Sequence, residues 1–355
     1  MPASHQPPFV SRFESLGASI PEQRLTTADL MSRLKMWVDV DLEDLTGIRE
    51  RRVCSEDEDS YTLSANAALD CLHYSSHEAS DLEMIICCSI SKFKDGLTFI
   101  YEPPLSLYVR EAIGAKRAIT FDVANACAGM LTGVFVMNDF IRRGVIKCGM
   151  VISGEYITSL GRNAIPHVKT VLSGQLASLT IGDCGAAVIL ERSGPGKASL
   201  NLAGFTTLSR YSDLCIGGAC MGAPGGQMTT DARKIHQAAI DDAPAIVEKA
   251  LKVCGLAWGD VDHFIPHQTS NMAITTGSRR LRRYLGGSPR NVVANLEQYG
   301  NTASTSHFLA MYRYLKEKRF KPGENILLMA LASGLVVGIA TFAMDDMAYR
   351  YGYED

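Results

Sequence analysis

The sequence has no Cys-x-x-Cys pair, and its ten cysteines follow no framework spacing. That argues against zinc-ribbon and dithiol redox chemistry. Cys71, Cys87, Cys88, Cys148, Cys184 and Cys254 lie in apolar stretches, as reduced, mostly buried thiols of a cytoplasmic protein do. Charge of one sign is also missing: 35 Lys+Arg face 38 Asp+Glu, a net of −3. Without a basic field, nucleic acid is not an expected partner. Nothing at the N-terminus reads as a signal peptide, and residues 1–12 read as a flexible arm. There is no Gly-x-Ser-x-Gly elbow, which disfavours a serine hydrolase. No glutamate stands between His263 and His267, and Pro266 stops one helix from presenting both. No metal site is expected.

One uncharged run, Ile326–Met344, approaches the ~20 residues of a membrane-spanning helix. Ser333-Gly334 and Gly338 interrupt it, and Val336, Val337, Ile339 and Thr341 are β-branched. Two buried strands joined by a tight turn fit better, so no membrane insertion is expected.

What is present is ordinary for a globular chain: 355 residues, 46% hydrophobic and 21% charged. This length suggests two packed halves. Met84–Cys88, Ala118–Val123, Met150–Ser153, Ala187–Leu190, Phe264–Pro266 and Ile326–Ala330 read as buried strands. Tyr61–Leu72, Pro104–Ile113, Gly129–Arg143, Thr230–Cys254, Met272–Leu285 and Ser304–Lys318 read as helices. The alternation predicts an α/β protein with mainly parallel sheets. The glycine-rich stretch Gly217–Gly226 reads as the break between halves. Each half places a reactive residue at a strand end before a helix: Cys127 in the first, His267 in the second. Ligands of such sheets bind beyond the carboxyl ends of strands.

Four segments carry candidate chemistry. In Ala126-Cys127-Ala128-Gly129, small residues admit a thioester, and a helix start favours a thiolate. A buried, inert cysteine is the plainer alternative. In Ile265-Pro266-His267-Gln268, His267 ends a strand, whereas His263 reads as structural. Gly300-Asn301-Thr302 is a turn signal, with Ser304 opening a helix. A tight loop at Ala332-Ser333-Gly334 presents N–H groups suited to an oxyanion.

Together with Thr46-Gly47-Ile48-Arg49-Glu50-Arg51 and Ile181-Gly182-Asp183-Cys184-Gly185-Ala186, these segments resemble the β-ketoacyl-acyl-carrier-protein synthase III (KAS III) family of the thiolase superfamily. The similarity runs along almost the whole chain. It implies a thiolase fold, with duplicated βαβαβαββ halves in a five-layered αβαβα arrangement. The nucleophilic cysteine belongs to residues 13–200, and the histidine and asparagine to residues 201–355. It also implies a homodimer and a Cys127, His267, Asn301 triad. Cys127 would carry an acyl group. The backbone N–H groups of Cys127 and Ser333 would form the oxyanion hole. His267 and Asn301 would bind the carbonyl of a second thioester. No cofactor is implied beyond the phosphopantetheine of acyl carrier protein (ACP) or coenzyme A that carries the substrates.

Departures from the family pattern refine this expectation. Where relatives that take acyl-CoA primers clamp the nucleotide, this chain has Asp41, Leu45 and Met272, which favours carrier-protein donors. The run Arg279, Arg280, Arg282, Arg283 suits an acidic carrier protein, or is a solvated helix face. Glu102 stands where primer enzymes have a phenylalanine. This is similar to the head-to-head acyl-condensing branch, where a glutamate reaches into the partner subunit's site as a base. A loop glutamate capping the next helix is the alternative. Claisen condensation of two acyl or β-ketoacyl thioesters is thus expected, in lipid or natural-product biosynthesis. Decarboxylative condensation with malonyl-ACP, acyl transfer to oxygen or nitrogen, and an inactive heterodimer subunit are the alternatives. Met130, Leu131, Phe205 and Leu335 are candidate tunnel-lining residues.

Overall fold

Two five-stranded sheets with one shared topology organise the chain. The computed structural model describes residues 9–35, 38–194 and 199–352. The first sheet comprises β1 (Val10–Ser19), β2 (Met84–Cys87), β3 (Ile119–Asp122), β4 (Cys148–Glu155) and β5 (Cys184–Ser193), in the order β1-β5-β4-β2-β3. The second comprises β6 (Leu200–Tyr211), β7 (His263–Pro266), β8 (Asn291–Val292), β9 (Asn325–Ala332) and β10 (Gly334–Ala343), in the order β6-β10-β9-β7-β8. Both sheets therefore run first, fifth, fourth, second, third.

The sheets are mixed rather than mainly parallel. β2 pairs in parallel with β3 and β4, whereas β5 is antiparallel to β4 and β1. The second sheet repeats this, with β7 parallel to β8 and β9, and β10 antiparallel to β9 and β6. The edge strands β1 and β6 escaped the periodicity reading for a physical reason. Register shifts at Phe13/Ser15 and Leu202/Gly204 break the alternation on which that reading relies.

Period-two alternation divides the strand residues between layers. Met84 and Ile86 of β2 and Leu328 and Ala330 of β9 face a central layer. That layer holds helices α3 (Gly129–Arg142) and α6 (Ser306–Lys316). Ile85, Cys87, Met150 and Ile152 face outward onto α1 (Ser60–His73) and α2 (Leu105–Ala112). Leu327, Met329, Val337 and Ile339 face outward onto α4 (Ala232–Cys254) and α5 (Asn271–Leu285). The result is five layers, αβαβα. Capping starts and stops these helices where the sequence allows. Asp59 and Thr62 form a capping box for α1, Ser270 caps α5, and Gly255 ends α4 in the left-handed region.

Two expectations are corrected here. Gly217–Gly226 is not a break: its strands, Cys215–Ala219 and Gly226–Thr230, form a hairpin packed on helix Ser159–Ala164. Of the expected N-terminal arm, residues 1–8 lie outside the described residues, and Val10–Arg12 are already strand. Arg12 is held there by Glu191 at 2.7 Å, Asp345 at 2.6 Å and Asp346 at 3.0 Å. The apolar run Ile326–Met344 forms the β9–β10 hairpin. Among the described residues, no helix is long and apolar enough to cross a membrane.

A second ionic tie closes the chain onto β1. Fully buried Glu14 accepts from Ser75 Oγ at 2.6 Å and Ser76 N–H at 3.0 Å, and pairs with Arg350. Burial alone would raise the Glu14 carboxyl, but these donors and the guanidinium hold it down at about 2. Because the folded value lies below the ordinary 4.5, the unfolded chain binds more protons between the two. The contribution is therefore complete above pH 4.5 and is lost as pH falls toward 2. We expect Glu14→Gln to lower unfolding free energy at neutral pH by ~3 kcal/mol in urea titrations, with the deficit vanishing in acid.

Candidate active site

The site forms where α3 and α6 begin. Each helix is entered through a 3₁₀ turn, Ala126–Ala128 and Ala303–Thr305 respectively. Both turns open on an alanine in the left-handed region, φ 44° at Ala126 and 52° at Ala303. The turns pack against each other, and the first also packs against β9 and β10, the hairpin whose turn holds Ser333.

The duplication assigns counterparts differently from the sequence reading. Cys127 follows the third strand of its sheet, and so does Ser304 in the second half. His267 follows a second strand, and its counterpart is Cys88. The backbone repeats this, with Cys88 N–H donating to Ile152 O at 2.8 Å and His267 N–H to Met329 O at 3.0 Å. His267 therefore does not mirror Cys127. Ser304 was expected to open a helix, but it sits inside the turn, and Thr305 precedes α6 without a side-chain cap.

Cys127 packs against a small cluster of Ile157, Ile181 and Ala303, as Leu160 also does. Burial, then the nearby Cys215 and Glu155, push its thiol up to about 12, against a smaller opposing effect of its own backbone N–H. Burial thus favours the neutral thiol, opposing the thiolate that a helix start favours. His267 is 5% exposed and stacks on His307, with ring centroids 5.6 Å apart. Burial, then His307, bring it down to about 3, and burial brings His307 to about 4. His307 Nε2 meets Met329 O at 2.9 Å, whereas buried His267 Nδ1 has no hydrogen-bond partner among the described residues. Behind the ring, Gln268 donates to Pro266 O and Val293 O and accepts from Asn295 N–H, fixing the loop.

Asn301 is held by a crossing of two segments. Its N–H donates to Thr180 O at 2.9 Å, and its carbonyl accepts from Gly182 N–H at 3.0 Å. Gly300 precedes it at φ +65°, where an added Cβ would stand 2.6 Å from Thr180 O. Asn301 Oδ1 accepts from Ala303 N–H at 3.0 Å, which leaves Nδ2 as the outward donor. The candidate groups are thus a buried thiol, an imidazole that burial keeps neutral, and an amide whose oxygen is already engaged.

Glu102 stands apart from these residues, exposed in the loop before α2. It does not cap that helix: Asp122 accepts the Leu105 and Ser106 N–H groups, both at 3.1 Å. Arg279, Arg282 and Arg283 are exposed on α5, and Arg280 is half-buried. Asp41 caps helix Leu42–Thr46 by accepting from Asp44 N–H, Leu45 packs beneath that helix, and Met272 is exposed. Of the candidate lining residues, Met130, Leu131 and Leu335 are buried, and Leu131 and Phe205 meet over Gly338. The sequence reading missed Glu155, His307 and fully buried Arg51, because nothing in their local pattern marks burial of a polar group.

Comparison with known proteins decides the family. Residues 121–207 match the model for 3-oxoacyl-acyl-carrier-protein (ACP) synthase III, and residues 251–344 match that for its C-terminal part. The chain belongs to the KAS III family. Curated relatives include the β-ketoacyl-ACP synthase III of Symbiobacterium thermophilum, 28% identical over 91% of this chain and 94% of that protein. That of Pseudoalteromonas atlantica is 29% identical over 91% and 96%. Among solved structures, Xanthomonas campestris OleA with bound lauric acid and lauroyl-CoA superposes with a TM-score of 0.82 at 23% identity, covering 94% of this chain and 99% of that one. A glutamate-to-glutamine variant of OleA gives 0.82 at 23%, over 97% and 100%. This KAS III-family chain is accordingly an acyl-condensing transferase with a thiolase fold.

The raised thiol makes a test of the site possible. Alkylation of Cys127 by iodoacetamide, followed at peptide level, is expected to climb with pH without a plateau below about pH 10. Cys127→Ala should abolish acyl loading in intact-mass measurements. A stable acyl-enzyme on that variant would move the nucleophile elsewhere.

Proposed function

We propose that the chain joins two acyl groups head to head. In the first step Cys127 Sγ attacks an acyl thioester, the bond from carbonyl carbon to carrier sulfur breaks, and the thiol proton leaves with the carrier thiol. The backbone N–H groups of Cys127 and Ser333 hold the oxyanion. A second acyl thioester then places its carbonyl against His267 and Asn301 Nδ2. A base takes its α-proton, the enolate carbon attacks the acyl-cysteine, and Cys127 departs as thiolate. The base in this reading is Glu102 of a second copy.

The observation that carries the reading is the uncommitted carboxylate of Glu102. Its helix is already capped by Asp122, and no hydrogen bond or ion pair ties Glu102 to the described residues. Its surroundings also suit a second copy. Tyr101 is 80% exposed, Ile119 is 62% exposed, and Ile119 starts β3, the unpaired edge of its sheet. Carrier-bound substrates fit better than coenzyme A, since Asp41 and Leu45 are occupied in local structure and Met272 carries no charge. The arginines of α5 offer an acidic carrier protein a docking face.

Decarboxylative extension by malonyl-ACP is the second reading, favoured by the curated relatives, which carry the β-ketoacyl-ACP synthase III name. One experiment separates them: enzyme loaded with one acyl thioester is challenged with carboxyl-labelled malonyl-ACP. Product from two unactivated acyl chains without label release supports the head-to-head reading. Released labelled carbon dioxide with an extended product removes it. Glu102→Gln is expected to slow condensation by about a hundredfold while acyl loading stays within about twofold. Replacing Arg279, Arg282 and Arg283 with glutamate should raise KM for carrier-bound substrate about tenfold, less so at high salt, with kcat little changed. An unchanged KM would take the carrier site off α5.

A further inference from the structure

Glu155 is the last residue of β4, has no solvent exposure, and has no role in the steps above. Its first oxygen accepts from Ile90 N–H at 3.0 Å, Ser304 Oγ at 2.5 Å and Ser153 Oγ at 3.1 Å. Its second accepts from Ser91 N–H and Ser91 Oγ, both at 3.1 Å. Ser153 and Ser304 also meet each other at 2.7 Å, so whichever hydroxyl donates in that contact divides its one proton between the other serine and Glu155. No cation lies among these partners: the carboxyl group is held wholly by dipoles, and burial raises it above its ordinary value against the opposing pull of these donors.

Three segments converge on this group. Ser304 belongs to the turn that packs on the Cys127 turn and follows Asn301 by three residues. Ile90 and Ser91 begin the loop that runs through Phe93 and Phe99 to Glu102. Ile157, two residues beyond Glu155, belongs to the small cluster with Ile181 and Ala303 on which Cys127 packs. The duplication sharpens the point. Strands β4 and β9 are each eight residues long, and the residue matching Glu155 at the end of β9 is Ala332. Ser304, the counterpart of the nucleophile, therefore has its hydroxyl turned to a carboxylate that has no equivalent in the other half.

We propose that Glu155 is a positioning residue of the condensation step, fixing the Asn301 turn and the root of the Glu102 loop against the strand end beside Cys127. Acyl transfer onto Cys127 needs only the thiol and its oxyanion donors, so it does not depend on this tie. Bond formation needs Asn301 in register with Cys127, so it does. The proposal rests on the reading of Cys127 as acyl carrier and Asn301 as carbonyl donor.

The isosteric change Glu155→Gln tests it. Wherever the amide nitrogen sits, it faces a backbone N–H that cannot turn round, so one anchor is lost. Ser304→Ala is the milder companion, removing one tie and leaving the charge. Both are compared with wild type for fold by circular dichroism, loading of Cys127 by intact mass, and product formation. We expect Glu155→Gln to load to wild-type stoichiometry with kcat for condensation down at least about tenfold, and Ser304→Ala to lose about threefold. Removing the charge should also shift the Cys127 alkylation profile to lower pH in Glu155→Gln, while Ser304→Ala keeps the wild-type profile. Condensation within about twofold of wild type in both variants overturns the proposal, as does an equal loss of loading and condensation. If Glu155→Gln does not fold, Ser304→Ala decides by the same split. Absence of acyl-Cys127 in the wild-type enzyme is a different failure, which removes the underlying reading and leaves the positioning question behind it.

Discussion

Two helix starts meet end to end in the middle layer, and the molecule is built around making that contact possible. Each chain enters its helix through a left-handed alanine, a conformation that costs about 1–3 kcal/mol and persists only where surroundings enforce it. Those surroundings are the two sheets, whose inner faces clamp α3 and α6 from opposite sides. The same clamp dries the site. A thiol near 12 and imidazoles near 3 and 4 are what burial makes of Cys127, His267 and His307. A site of neutral groups must stabilise charge with oriented dipoles, and these are preorganised because the layers leave them no alternative arrangement.

The duplication gives each half the same frame and lets the frame do different work. The first half follows its third strand with Cys127. The second has Ser304 at the equivalent position, and its candidate groups come from a longer turn, at Asn301, and from the end of a second strand, at His267. Gly300 and Gly182 let the backbone of residues 180–182 cross that of residues 299–302 at close range. A side chain at either position would separate the two segments that hold Asn301 in place.

Much of this could be read from residue order. Buried strands such as Met84–Cys87 and the Phe264–Pro266 part of β7 announce themselves as uninterrupted apolar runs, and α3, α4 and α5 by their period. The resemblance of the Cys127, His267 and Asn301 segments to a known family supplied the fold, which periodicity alone would have left as an unspecified α/β protein. What was illegible has common causes. β1 and β6 lose alternation at their register shifts. The hairpin at Cys215–Thr230 looks like a linker because glycine serves both. Glu155 and Arg51 look like surface residues, since burial of a charge is set by partners such as Ser304 and Leu179, more than a hundred positions away. The upward push on the thiol could not be read locally, because a helix start is local, whereas desolvation belongs to the whole layer.

The place of β3 has a further consequence. It is one edge of its sheet, only four residues long, and just four more residues separate its end from Cys127. Cys127 is thus tethered on a short leash to an edge whose first residue, Ile119, is exposed. A strand added along that edge would reach the Cys127 turn through a lever of four residues.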